Sequence, residues 1–140
     1  MKGLTTLIKL SKRALDELRR KMGMLENQKS QLQQAIVNLQ REVEAELQAA
    51  RQRPEMGQFF GEYSKRMRQR QAQLEAEVAS IELQMSNLRE TIAAAFAEQK
   101  KYEIALENAK QRQKEAAQRR ENEMMDEIAG QQHQRKKEEQ

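Results

Sequence analysis

Apolar side chains recur along the chain in steps of four and three. Positions 4, 8, 11, 15, 18, 22, 25, 29, 32, 36, 39, 43, 46 and 50 read Leu, Ile, Ser, Leu, Leu, Met, Leu, Lys, Leu, Ile, Leu, Val, Glu and Ala. Eleven of these fourteen are apolar, over seven heptads. Such a seam keeps one direction only if the helix winds against a partner. The pattern predicts a helix over about 3–52. A second seam runs 67, 71, 74, 78, 81, 85, 88, 92, 95, 99, 102, 106 and 109, again with eleven apolar positions, of thirteen. It decays at Gln113, Ala116 and Arg120. Nothing from 110 to 129 breaks a helix, so the second helix is expected over about 59–129. Gly130 is the expected stop, and 131–140 a flexible tail.

Between the seams lies RPEMGQFFG, residues 53–61, with the chain's one proline. Pro54 disfavours helical geometry at Arg53, and Gly57 and Gly61 weaken a helix on either side of two phenylalanines. The stretch reads as a turn over about 53–58 that folds the chain back. A kink in one long helix is the other reading. With the turn there, facing residues have numbers summing to roughly 110. Glu42, Glu44 and Glu46 then fall opposite Lys65, Arg66, Arg68 and Arg70, a pairing of charges that favours this register. Leu4 falls near Leu106, and residues after about 108 have no partner within the chain. The expected fold is all-α: an antiparallel two-helix coiled-coil hairpin over 1–130, with a longer second helix. At ~1.5 Å per residue the paired part extends roughly 75 Å, and an overhang of about 20 residues adds about 30 Å. A bare helix of that length is marginal in water. The overhang carries Met124, Met125 and Ile128, and Met124 and Ile128 share a face. Methionine suits adaptable binding surfaces, so another molecule is expected to complete this end; a few solvated apolar residues on a frayed helix is the other reading.

Composition narrows the function. The chain has 140 residues, 37% hydrophobic, 34% charged and 4% aromatic, which suits long helices and not a globular core. There is no cysteine, which excludes disulfides and thiolate chemistry. MKGLTTLIKLSKRAL has a lysine within its apolar stretch and no small-residue cleavage site, so it does not read as a secretory signal. No apolar run approaches the ~18 residues of a membrane span. A soluble intracellular protein is expected. The net charge of +4 is uneven: residues 1–21 hold seven basic and two acidic side chains, and residues 53–140 hold sixteen of each.

Catalytic constellations are missing. The one histidine, His133, falls in the expected tail. No phosphate-binding glycine loop occurs. Adjacent acids such as Asp16–Glu17 do not face one another on a helix, and two paired helices enclose no pocket to shift a pKa. No catalytic residue, cofactor or metal is expected, and the protein is expected not to be an enzyme. The basic end (Lys2, Lys9, Lys12, Arg13, Arg19, Arg20 and Lys21) invites nucleic acid or an anionic membrane. No aromatics interleave with it for base stacking, so nucleic acid is not expected, and an acidic protein surface or a simply solvated face is preferred. A generic self-associating coiled coil and a basic rod on nucleic acid or anionic membrane are the alternatives.

Several stretches, in order, carry a resemblance. LTTLIKLSKRALDELRRK, FFGEYSKRMRQRQAQL, AFAEQKKYEIAL and RRENEMMDEIA resemble the leucine-spaced basic opening, the aromatic-marked start of helix two, and the closing pattern of the FliJ-type flagellar export proteins, relatives of the YscO-type stalk proteins. The resemblance covers nearly the whole chain. It implies a cytoplasmic, non-enzymatic stalk of the flagellar type III export apparatus, peripheral to the inner membrane. Its implied partners are a hexameric export ATPase, the cytoplasmic domain of the export gate, and export chaperones. Carried onto this chain, the implied ATPase contacts are Lys9, Arg13, Arg20, Arg119, Arg120, Met124, Met125 and Ile128. The implied gate contacts are Tyr63, Met67 and Leu74, although Met67 and Leu74 already belong to the seam.

Overall fold

A computed structural model describes residues 1–139; Gln140 of the expected tail lies outside them. Two helices account for nearly all of it: α1, Lys2–Gln52, and α2, Gly57–Glu138. They pack against each other as an all-α antiparallel hairpin whose second helix is longer. Among the described residues no helix is long and apolar enough to cross a membrane.

The reversal is made by Arg53 and the 3-10 turn Pro54–Met56. Arg53 sits at φ −132°, ψ 86°, outside the helical region, as a residue before proline must to avoid its ring. Its N–H still donates to Ala50 O at 3.2 Å, and its own carbonyl accepts from Met56 N at 2.9 Å. Pro54 begins the turn, where a missing N–H costs nothing. The glycines do less than their spacing suggested. Gly57 is helical at φ −57°, ψ −37°, and no glycine takes a positive φ.

The expected stop at Gly130 also differs. α2 continues through it to Glu138. One glycine costs a helix only about 1 kcal/mol, and it terminates one when the following chain turns back to cap it. Here no such capping follows. Arg135, Lys136 and Lys137 occupy the last turn, where positive charge suits the negative end of the helix dipole.

The chain divides into two compact units, Arg13–Ala95 and Met1–Lys12 with Phe96–Gln140. In the first, both seams turn inward. Leu15, Leu39, Leu74 and Met85 are buried, and Leu18, Met22, Leu25, Leu32, Ile36, Val43, Met67, Val78, Ile81, Leu88 and Ile92 are at least half-covered. Glu46 is exposed and Leu47 takes its place. The step from 43 to 47 follows one from 39 to 43, so near the turn the helix keeps its natural period rather than the supercoiled one. Shared grooves fix the register. Leu39, Val43, Met67 and Gln71 line one, and Gln28, Leu32, Glu77 and Ile81 another, which pairs residues near a sum of 110. Glu44 shares a groove with Arg68, and Glu46 with Arg66, yet neither pair closes into an ion pair. The cross-helix ion pair among the described residues is Lys29 Nζ to Glu82 Oε1, 3.2 Å. It rescues the one lysine in the first seam.

The second unit holds the start of α1 against α2 and then α2 alone. Ile8 and Gln99 are buried; Leu4, Ser11, Tyr102, Leu106 and Ala109 are half-covered. From Lys110 onward every described residue is exposed.

Candidate functional site

The bare stretch of α2 after Ala109 reaches Glu138, about 40 Å at 1.5 Å per residue. It is knit only locally, by amides reaching one turn along. Gln111 Nε2 donates to Glu115 Oε1 at 3.4 Å, and Gln118 Nε2 to Asn122 Oδ1 at 3.3 Å. Met124, Met125 and Ile128 are 64%, 63% and 50% exposed. Arg119 and Arg120 are exposed just before them and make no ion pair among the described residues. Apolar side chains that gain by leaving water and guanidinium groups of the kind that orient carboxylates thus stand exposed together on one short stretch.

Of the other sequence-derived contacts, exposed Lys9 belongs to the same unit as the bare stretch, while exposed Arg13 and Arg20 belong to the hairpin unit. Tyr63, Met67 and Leu74 also lie in the hairpin unit, and the structure gives them unequal roles. Leu74 is buried at 4% exposure and Met67 is half-covered, so both spend their surface on the seam. Tyr63 is half-covered and tilts against Phe60, ring centroids 6.3 Å apart.

Beside Tyr63 the sequence reading missed a feature. A cavity of about 460 Å³ opens at the turn, lined by Ala50, Arg53, Met56, Phe59, Phe60 and Tyr63 among others. Phe59 is 68% exposed and Met56 43%. The available signal was two adjacent aromatics off the seam, next to the one proline. Phe59 and Met56 thus border the cavity with much of their apolar surface in water.

Where Met1–Lys12 meets α2, a small polar cluster replaces the apolar seam. Gln99 Nε2 donates to Glu103 Oε1 at 3.0 Å, and Lys100 Nζ stands 3.3 Å from Glu103 Oε2. These hydrogen bonds, with the positive charges of Lys100 and Lys12, hold the Glu103 carboxyl below its ordinary pKa against a smaller opposing effect of burial. Tyr102 donates to Glu98 Oε1 at 2.7 Å, and this bond to a carboxylate pushes its phenol pKa up. Gln99 Oε1 is buried with no hydrogen-bond partner, a condition that costs about 1–3 kcal/mol. No group of three or more carboxylate or imidazole ligands gathers among the described residues.

The geometry is that of a hairpin that packs its own seam and leaves one end of α2 uncovered. Comparison with curated proteins gave no match, and comparison with solved structures gave none. The family model described as "Flagellar FliJ protein" matches residues 1–138. The helical hairpin and that match together make the chain a member of the flagellar FliJ protein family, components of flagellar type III protein export.

Proposed function

We propose that this protein is a stalk that couples a hexameric flagellar export ATPase to the export gate and escorts export chaperones, with no catalysis of its own. The observation that carries this reading is the exposed Met124, Met125 and Ile128 on a stretch of α2 with no partner in the chain. Most helical stability in proteins comes from packing of a helix face, and a ring of subunits closing around this stretch would supply it. In this reading Arg119, Arg120 and Lys9 meet acidic side chains of the ring, with Arg13 and Arg20 as further basic contacts. The gate contact lies at the start of α2, where Tyr63 faces the cavity at the turn; Met67 and Leu74 hold that helix in place. The protein acts in the cytoplasm and reaches the inner membrane through its partners.

The test is the turnover and assembly state of the cognate export ATPase, with the full chain and with a chain ended after Gln118. Stimulation by the full chain, lost on truncation, is expected. Equal effects of the two, or none from either, would return the protein to a generic structural coiled coil.

A further inference from the structure

The Met1–Lys12 segment of α1 is held to α2 by few groups, and one layer of its contact is defective. The register near 110 sets Leu4 level with Leu106, Ile8 with Tyr102 and Ser11 with Gln99. Of these only Ile8 and Gln99 are buried. Gln99 is nine-tenths buried, and its Oε1 has no partner. The hydroxyl level with it is turned away: Ser11 Oγ donates to Leu7 O at 2.8 Å, within its own helix. Thr5 and Thr6 do the same, donating to Met1 O at 3.1 Å and Lys2 O at 3.0 Å. Such back-bonding weakens a helix slightly. The first turn carries no acidic residue to oppose the positive end of the helix dipole, and Lys2 adds to that charge.

The same segment is apolar on more than its packed side. Leu7 is 41% and Leu10 54% exposed. Leu7 and Leu10, three apart, flank the Leu4–Ile8 stripe. Docked, the segment covers Leu4 and Ile8 and leaves Gln99 Oε1 stranded. Released, it offers Leu4, Leu7, Ile8 and Leu10 together, and water reaches the amide.

We infer that Met1–Lys12 is a detachable strap: the polar Ser11–Gln99 layer sets its release, and its freed apolar face joins the bare end of α2 in binding the ring partner. The inference rests on the proposed ATPase engagement for its partner, and on the chain's own geometry for the release. Two measurements on the full chain test it. In hydrogen exchange, amides of 5–12 exchange faster than those of 25–45, and Gln99→Leu slows the 5–12 amides by at least about tenfold while leaving 25–45 unchanged. Unaltered exchange of 5–12 in that variant overturns the release mechanism. The chain has no cysteine, so Leu4→Cys with Leu106→Cys forms a unique lock. Oxidised, this variant stimulates the ATPase at least about fivefold less than when reduced, a difference on the scale of typical coupling between sites. Equal stimulation in both states overturns the strap's role in binding and leaves the ATPase reading standing. If the unmodified chain itself gives no stimulation, the ATPase reading fails, and the exchange experiment alone decides the strap.

Discussion

The hairpin unit Arg13–Ala95 and the stretch of α2 beyond Ala109 are built from the same residue types in the same secondary structure, yet they treat their apolar side chains oppositely. Met85 is 5% exposed and Met124 64%. Ile81 is half-covered in the seam, and Ile128 stands in water. Neither helix propensity nor hydropathy separates these pairs. What separates them is whether another helix lies alongside. In the hairpin, apolar area removed from water stabilises the fold at roughly 25 cal/mol per Å². Beyond Ala109 the same kind of side chain stays in water, and that free energy is not gained within the chain. The difference is one of position along a single helix.

The comparison is broken most severely in the core. Leu74→Ala should cost about 2–5 kcal/mol and lower the thermal midpoint by many degrees, read by circular dichroism. Ile128→Ala should change stability by no more than about 0.5 kcal/mol. If Leu74→Ala left stability intact, Leu74 would be a docking residue and not a core one. Met124→Asp with Ile128→Asp should reverse the ranking, leaving the thermal midpoint within a degree or two and lowering ATPase affinity by at least about tenfold, or ~1.4 kcal/mol. A smaller effect at Gln99 bears on where the comparison changes sign. Gln99→Leu should raise stability by about 1 kcal/mol, because it removes a buried oxygen that nothing satisfies; a loss would mean that its bond to Glu103 outweighs that gain.

The electrostatic effects are smaller still. Lys29→Ala should cost less than about 1 kcal/mol, because Glu82 is more than half exposed and solvent screens the pair. A double-mutant cycle with Glu82→Ala measures it. Glu103 gives the smallest effect and a definite sign. Its pKa is lowered on folding, so its contribution is present above the ordinary glutamate pKa and disappears as pH falls through that range to the folded value. Thermal midpoints from pH 7 down to 3 should show a dip that is shallower in Glu103→Gln.

Much of the fold was legible because its cause is local and periodic. All thirteen positions of the second seam are at least half-covered, and thirteen of fourteen in the first, Glu46 alone standing exposed. Exposed residues away from the seams follow no period. Arg119 and Arg120 look like any solvated pair, and Phe59 beside the turn looks like core until its exposure is seen. The helix end was misread for a related reason. A glycine marks a stop only if the chain after it turns back, and that is not encoded in the glycine.

The sequence by itself determined that there would be two helices, where they would part and which side chains would face inward, because a proline restricts the backbone locally and heptad spacing gathers the apolar side chains on one stripe. Only the tertiary structure decided which apolar residues remain uncovered, that Leu47 and not Glu46 serves the seam, and that Gln99 is stranded against Ser11. Those outcomes depend on what lies across the interface, and a chain states its own pattern without stating its neighbours.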